Sequence, residues 1–494
     1  MTLDHAPAIH RRSFRQAIDL LTLVIIVGLT LAHWWILIQQ IRLAELLPFW
    51  FWEPHLTGLP AWGLALLLAA LTAFVLLRVF NHPEQQRINL LLLILLGLSI
   101  QFSVALMEGR GTSEISNNMV TTGHSVFARE AVQFSSLADI FGSYPSLTGE
   151  SPILATKPPG PLIIHWLAYR LSVLLQPLFP ASLAPLDLLI SFATYLFPAL
   201  AYLVLVPLDR FAQPLLPDRS RYDPLILILF VPSITLMTLH VDEFLHPMLF
   251  TLALLLYFQG LSTGRINRFL AAGAVTYLAL FVSFSMLAIP LFVLIAGLLI
   301  DYFIRDRFPE DHPLRPPHAF LVAHLTMITG FLILHILFAL LWGYDLYGDF
   351  LRGTEAHQIF KTTDWTLEQT VGIGFTNLIE FAFWTGIPLT GLFLRGNIRA
   401  AGHLIKRQID TLDVIALATG GLILALAFFS KTAAETGRLW IFLIPLMTIP
   451  AASELGHLET VWFRPGKWSR VLLVLIVGLQ FASILMMKGF QDFY

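Results

Sequence analysis

Residues able to do chemistry are few in this chain and fall into four short stretches. In the first, Glu108 closes an apolar run and is followed by Gly-Arg-Gly-Thr-Ser-Glu114-Ile-Ser-Asn-Asn-Met-Val-Thr-Thr-Gly123. Farther along the same polar segment comes Ala155-Thr-Lys157-Pro-Pro-Gly160. A carboxylate at the end of an apolar run is placed to take the proton of a hydroxyl. The two prolines limit the backbone freedom around Lys157 and present its ammonium in a defined place. Together these are the parts needed to handle a lipid-linked phosphate. The second stretch, His240-Val-Asp242-Glu243-Phe-Leu-His246, adds two acids. Its histidines stand six apart, a spacing we read against metal ligation. The third is Lys431-Thr-Ala-Ala-Glu435-Thr-Gly-Arg438-Leu-Trp440. The planar fork of Arg438 suits a bidentate grip on phosphate, and Glu435, one helical turn earlier, is placed to pair with it. The fourth lies within 342–375 and holds Arg352, His357, Lys361 and Trp365.

The elements that position these residues follow from composition. Of 494 residues, 56% are hydrophobic and only 13% are charged, and mean hydropathy is +0.74. Soluble proteins carry about 25% charged residues. A soluble enzyme, a disordered chain and a nucleic-acid binder with a basic surface are thereby excluded. The net charge of −2 implies no bulk attraction to nucleic acid. With no cysteine, disulfides, thiolate catalysis and iron–sulfur clusters are excluded too. The first apolar run, 17–38, is long enough to span a bilayer and carries no cleavage signature. The expected class is an all-α polytopic transmembrane bundle.

Runs of about 20 apolar residues mark crossings. We place thirteen, at 17–38, 60–80, 88–107, 184–207, 224–240, 247–262, 269–286, 289–304, 319–341, 376–394, 412–429, 439–454 and 471–488. Lys and Arg stay cytoplasmic. Arg11, Arg12 and Arg15 put the N-terminus inside, and most of the thirty Lys and Arg then fall on inside loops, provided 160–177 does not cross. That segment carries His165, Trp166, Tyr169 and Arg170, residues of a membrane interface, and reads as an interfacial helix. All four chemical stretches then lie outside. Trp34, Trp35, Trp50 and Trp52 read as an interfacial belt, and the spans as nearly charge-free. The chain divides into an N-terminal hairpin (1–87), a core with outer loop 108–159 (88–341) and a C-terminal part (342–494).

Within 108–159, Ile115, Met119 and Val120 share one helical face and Gly123 terminates it, so a short amphipathic helix is expected. Glu114 would sit in its first turn, where the dipole stabilises an acid. Here the sequence resembles the GT-C glycosyltransferases. The closest likeness is to the branch with the protein O-mannosyltransferases and the lipid A aminoarabinose transferase. In that branch an acid ends a span, an amphipathic helix follows, and a Lys-Pro-Pro comes later. Ser113 to Gly123 and Lys157-Pro158-Pro159 fit that order. The likeness at motif level covers about fifty residues; beyond it only the topology matches, with an extra hairpin in front. The family's Asp, often an Asp-Glu pair, is replaced by the single Glu108, and its later aromatic by Thr112.

The resemblance implies an inverting transferase that moves a sugar from a polyprenyl-phosphate donor to an acceptor hydroxyl on a glycan, lipid or protein. It implies that Glu108, with Asp242 as the second acid, is the catalytic pair, and that Lys157, Arg438 and Arg352 hold the donor phosphate. His240, Glu243, His357 and Glu435 are weaker substrate-binding candidates. No cofactor is required; Mg or Mn bridging Glu108 and Asp242 is the option to test. The expected place is the plasma membrane, with the site on its outer, periplasmic side. The alternatives are a multi-span transporter and a lipid-linked glycan ligase or phosphotransferase.

Overall fold

The computed structural model describes residues 6–491 apart from 122, 181, 238–242, 314, 361–364, 431 and 463–469. The described elements are all helical, and the only extended pairing among them is a single bridge between Pro54 and Gln491. Nine helices among the described residues are long and apolar enough to cross a bilayer: Gln16–Ile38, Gly63–Asn81, Gln86–Leu106, Pro185–Ala212, Phe284–Phe303, Ala319–Trp342, Thr411–Phe429, Ile441–Trp462 and Val471–Phe490. At about 1.5 Å per residue each reaches roughly the 30 Å of a hydrocarbon core or more. This is a multi-pass membrane bundle.

Against the thirteen crossings expected, nine helices among the described residues, or ten with the broken pair described below, are long and apolar enough to cross. The run 224–240 is not one helix. Asp223–Leu229 stops and Pro232–Met237 begins anew, because a proline without an N–H opens a helix more readily than it continues one. The runs 247–262 and 269–286 form His246–Thr263 and Ile266–Val282, of 18 and 17 residues, at the short end for a crossing. Ile266–Val282 is nonetheless bound tightly to Ala319–Trp342. A Cβ on Gly273 would stand 1.8 Å from the Met327 carbonyl oxygen, and one on Gly330 2.1 Å from that of Leu270. Small residues let two membrane backbones meet in this way.

The run 376–394 is also corrected. Leu367–Thr385 and Ile387–Ile405 meet at a 116° bend. Gly386 sits there at φ 87°, and the Gln480 side chain donates to the Thr385 carbonyl at 3.0 Å, satisfying a group the bend would leave bare.

The bundle has two distinguishable ends. At one, Ala61 bonds Met107, His55 bonds Phe490, and Lys157 lies beside Glu243 and Arg438. Leu367–Thr385 runs across this end: its turns meet Pro48, Phe428, the Thr432 carbonyl and Gly437 in succession. At the opposite end, Tyr222 bonds Pro83, Arg219 bonds Gly456, Arg307 bonds Ile409 and Arg470 pairs with Asp223. Gly160–Leu174 starts beside Lys157, and the later helix Pro185–Ala201 carries in its first turn Asp187, which shares a cavity wall with Arg110 and Ser113. That segment thus leaves and rejoins the same end.

The spans are not charge-free. Arg395 pairs with Asp19 and, at 2.9 Å, with Glu454; Arg399 pairs with the same Glu454 at 2.9 Å. Buried ions persist in hydrocarbon when partnered in this way. Trp50 and Trp52 are buried, not a belt, while Trp35 is 61% exposed as a belt residue would be.

Candidate active site

The site is built where three chain segments converge at the first end. Tyr144, buried, donates its hydroxyl to the carbonyls of Leu154 at 3.2 Å and Lys157 at 2.8 Å. This pins the turn ahead of Pro158 and Pro159, as the prolines alone would only partly do. On the far side a Cβ on Gly160 would meet the Phe281 carbonyl oxygen at 2.1 Å, so the helix that follows is seated directly on backbone. Lys157 keeps 16% of its side chain exposed.

Its Nζ lies 3.5 Å from Oε1 of Glu243, which is fully buried. Arg438 approaches the same oxygen with Nε at 3.7 Å, from the short helix Thr436–Leu439. One Arg438 amino group lies 2.7 Å from Nε2 of His124, and the other donates to Glu435 at 3.1 Å. Lys157, Arg438, Glu243, Glu435 and His124 thus form one cluster. Burial makes each of these charges expensive alone, which is why they meet. Two cations from distant segments, Lys157 partly exposed and Arg438 buried, form a cradle for an anion with several oxygens.

Glu108 follows Gln86–Leu106 at the same end and is ion-paired with Lys488, near the close of the last helix. Both side chains are more than nine-tenths buried. The expected cations thus divide. Lys157 and Arg438 come together, but Arg352 does not join them. It pairs with Asp349 on Leu346–Phe360, a helix that packs on the segment just before Lys157. His357 lies half-buried on the same helix. Asp242 and His240 lie outside the described residues. Glu243, the lesser of the two adjoining acids by sequence, is the hub of the cluster.

Burial pushes the Asp349 carboxyl above the usual range, against the pull of Arg352. Burial, and then the Asp349 charge, push the Tyr144 hydroxyl well up, so it stays a donor to Lys157.

Four participants escape sequence reasoning. Lys488 falls at the end of the apolar run 471–488, His124 and Asp349 fall within the expected outer loops 108–159 and 342–375, and Glu380 falls inside the run 376–394. The one available signal is that Lys488 stands among the ten of thirty basic residues expected on the outer side, where each needs a local reason. Among the described residues no group of three His, Cys, Asp or Glu is arranged to hold a metal. No protein-family model matches the chain, and no curated protein matches it.

Proposed function

We propose that the chain is an integral-membrane glycosyltransferase of GT-C type that moves a sugar from a polyprenyl-phosphate donor to an acceptor hydroxyl at the outer face. One observation carries the reading: Lys157 and Arg438 converge on a single buried carboxylate at the end of the bundle that also bears Glu108. The order acid, amphipathic helix, Lys-Pro-Pro supports it, since Ser113–Thr121 forms with Ile115 and Met119 buried.

In this reading the acceptor oxygen attacks the anomeric carbon from the face opposite the phosphate. The new C–O bond forms as the old one breaks, with inversion, and no covalent intermediate is needed. Glu108 takes the hydroxyl proton, with Asp242 as the second acid. The departing polyprenyl phosphate keeps the bonding pair, and Lys157 and Arg438 offset its charge. Preorganised cations in a partly desolvated site contribute several kcal/mol to such a step. Arg352, held by Asp349, would serve only after leaving that partner. Mg or Mn would have to bind Glu108 and Asp242, and Lys488 already occupies Glu108. The reading of this face as outer is supported by Arg219, Arg307, Arg407 and Arg470 gathered at the opposite end.

The test uses membranes holding the wild type or Glu108→Gln, each given a panel of radiolabelled polyprenyl-phosphate sugars. Label leaving the lipid in wild type and staying in the variant supports the class and the base. Equal loss in both moves the base to Asp242. No loss with any donor, in an acceptor-rich extract, rejects the reading. A second reading, a transporter, draws on the broken pair at Gly386 and the buried Asp19–Arg395–Glu454 network. It predicts that sealed vesicles accumulate a solute and that Arg395→Met abolishes this.

A further inference from the structure

Glu380 is a fully buried acid that the chemistry above does not use. It sits on Leu367–Thr385, the helix that floors the site end. Its Oε1 accepts the indole N–H of Trp52 at 2.8 Å and the backbone N–H of Gly437 at 3.4 Å. Gly437 immediately precedes Arg438. The turn that carries both is unusual: Ala434 and Glu435 stand in succession at φ 66° and 59°, left-handed backbone that non-glycine residues rarely adopt. Such a conformation persists only where its surroundings over-determine it.

Helix Leu367–Thr385 supplies those surroundings. The Asn377 amide donates to the Thr432 carbonyl at 2.7 Å, and the Thr436 hydroxyl donates to the Asn377 carbonyl at 3.2 Å. A Cβ on Gly437 would stand 2.2 Å from Trp384, so the turn lies flat on that ring. Trp384 in turn packs on Trp52, with ring centroids 4.7 Å apart. Of these contacts, only the one from Glu380 reaches the residue next to Arg438 with a hydrogen bond.

We propose that Glu380 is a positioning residue for Arg438. It holds the Gly437 N–H and so keeps the left-handed 434–435 turn wound, which aims the guanidinium toward Lys157 and the donor phosphate. Its role is that of a hydrogen-bond acceptor, and a neutral amide oxygen would serve. The proposal rests on the anion-binding role given to Arg438 above.

The experiment compares the full-length wild type, Glu380→Ala, Glu380→Gln, Arg438→Lys and Glu380→Ala/Arg438→Lys in lipid nanodiscs. Binding of a polyprenyl monophosphate is titrated. In parallel a nitroxide on Thr432→Cys, unique in a cysteine-free chain, reports mobility beside the turn. Glu380→Ala is expected to weaken binding at least tenfold and to sharpen the nitroxide spectrum. Glu380→Gln is expected to stay within twofold of wild type and to keep the spectrum. Arg438→Lys added to Glu380→Ala is expected to cost less than a further twofold, since the two changes disable one device. Losses that multiply, or a tenfold loss in Glu380→Gln, overturn the proposal. If Glu380→Ala does not fold, Glu380→Asp, a carboxylate too short to reach Gly437, replaces it, and wild-type binding there overturns the proposal equally. A wild type that binds no polyprenyl phosphate rejects the functional reading instead. In that case the nitroxide spectra decide the role of Glu380 alone, and an unchanged spectrum in Glu380→Ala overturns it.

Discussion

The carboxylate of Glu108 is ion-paired with the ammonium of Lys488, so the acid that follows the third apolar helix is held by the last one. Removing one member of a buried pair strands the other, at about 3–5 kcal/mol. Lys488→Met should therefore lower the unfolding temperature in detergent and abolish sugar transfer. Glu108→Gln/Lys488→Met should recover most of the stability, since no charge is then stranded, and none of the transfer. A double variant as unstable as Lys488→Met would show that the lysine acts by packing.

Glu243 presents an anion to both Lys157 and Arg438. An incoming phosphate must share these cations with it. Glu243→Gln should bind a polyprenyl phosphate more tightly, by a factor on the order of ten, while Lys157→Met and Arg438→Met bind it more weakly. Weaker binding by Glu243→Gln would mean that the carboxylate preorganises the cations instead of competing for the ligand.

Gly160 touches no candidate reacting group, yet a methyl there would collide with the Phe281 backbone. Gly160→Ala should shift Gly160–Leu174 and carry the Lys157 turn with it. An overpacking cost of about 1–3 kcal/mol in thermal unfolding is expected, together with a loss of donor affinity similar to that of Lys157→Met. Unfolding without any affinity loss would uncouple the helix from the lysine.

Asp349 gives the stability a pH dependence. Its folded-state pKa lies above the unfolded value, with burial as the leading cause. The folded protein therefore holds that proton to higher pH, and the penalty of the buried charge grows as pH rises out of the usual carboxylate range. Asp349→Asn should gain stability relative to wild type on going from about pH 4 to about pH 7. Thermal unfolding of both proteins across that range checks the sign; a gain that shrinks with pH would mean that the Arg352 pair outweighs burial.

Some of this was legible along the chain. The first three apolar runs, and 412–429 and 471–488 near the end, became helices within a few residues of the expected limits, because a bilayer demands length and apolarity and little else; 439–454 became a helix that continues to Trp462. The helix at Ser113–Thr121 followed from the spacing of Ile115 and Met119. Two of the middle runs, 224–240 and 376–394, failed for identifiable reasons. Pro232 divides a run that hydropathy averages into one, and Gly386 turns a chain whose composition does not change across the bend.

By itself, then, the sequence determined the solvent: a chain this apolar must fold as helices in lipid, with its few charges near the ends or buried in pairs. It also determined which residues were available for chemistry. Tertiary structure alone decided the partnerships. Glu108 meets Lys488, Glu243 meets Lys157 and Arg438, and Glu380 meets Trp52 and Gly437. Hydropathy is local and survives averaging over a window, so it can be read in one dimension. An ion pair between distant helices depends on their register and rotation. Those are set by packing over the whole bundle, as at Gly273 against Met327, and no short stretch encodes them.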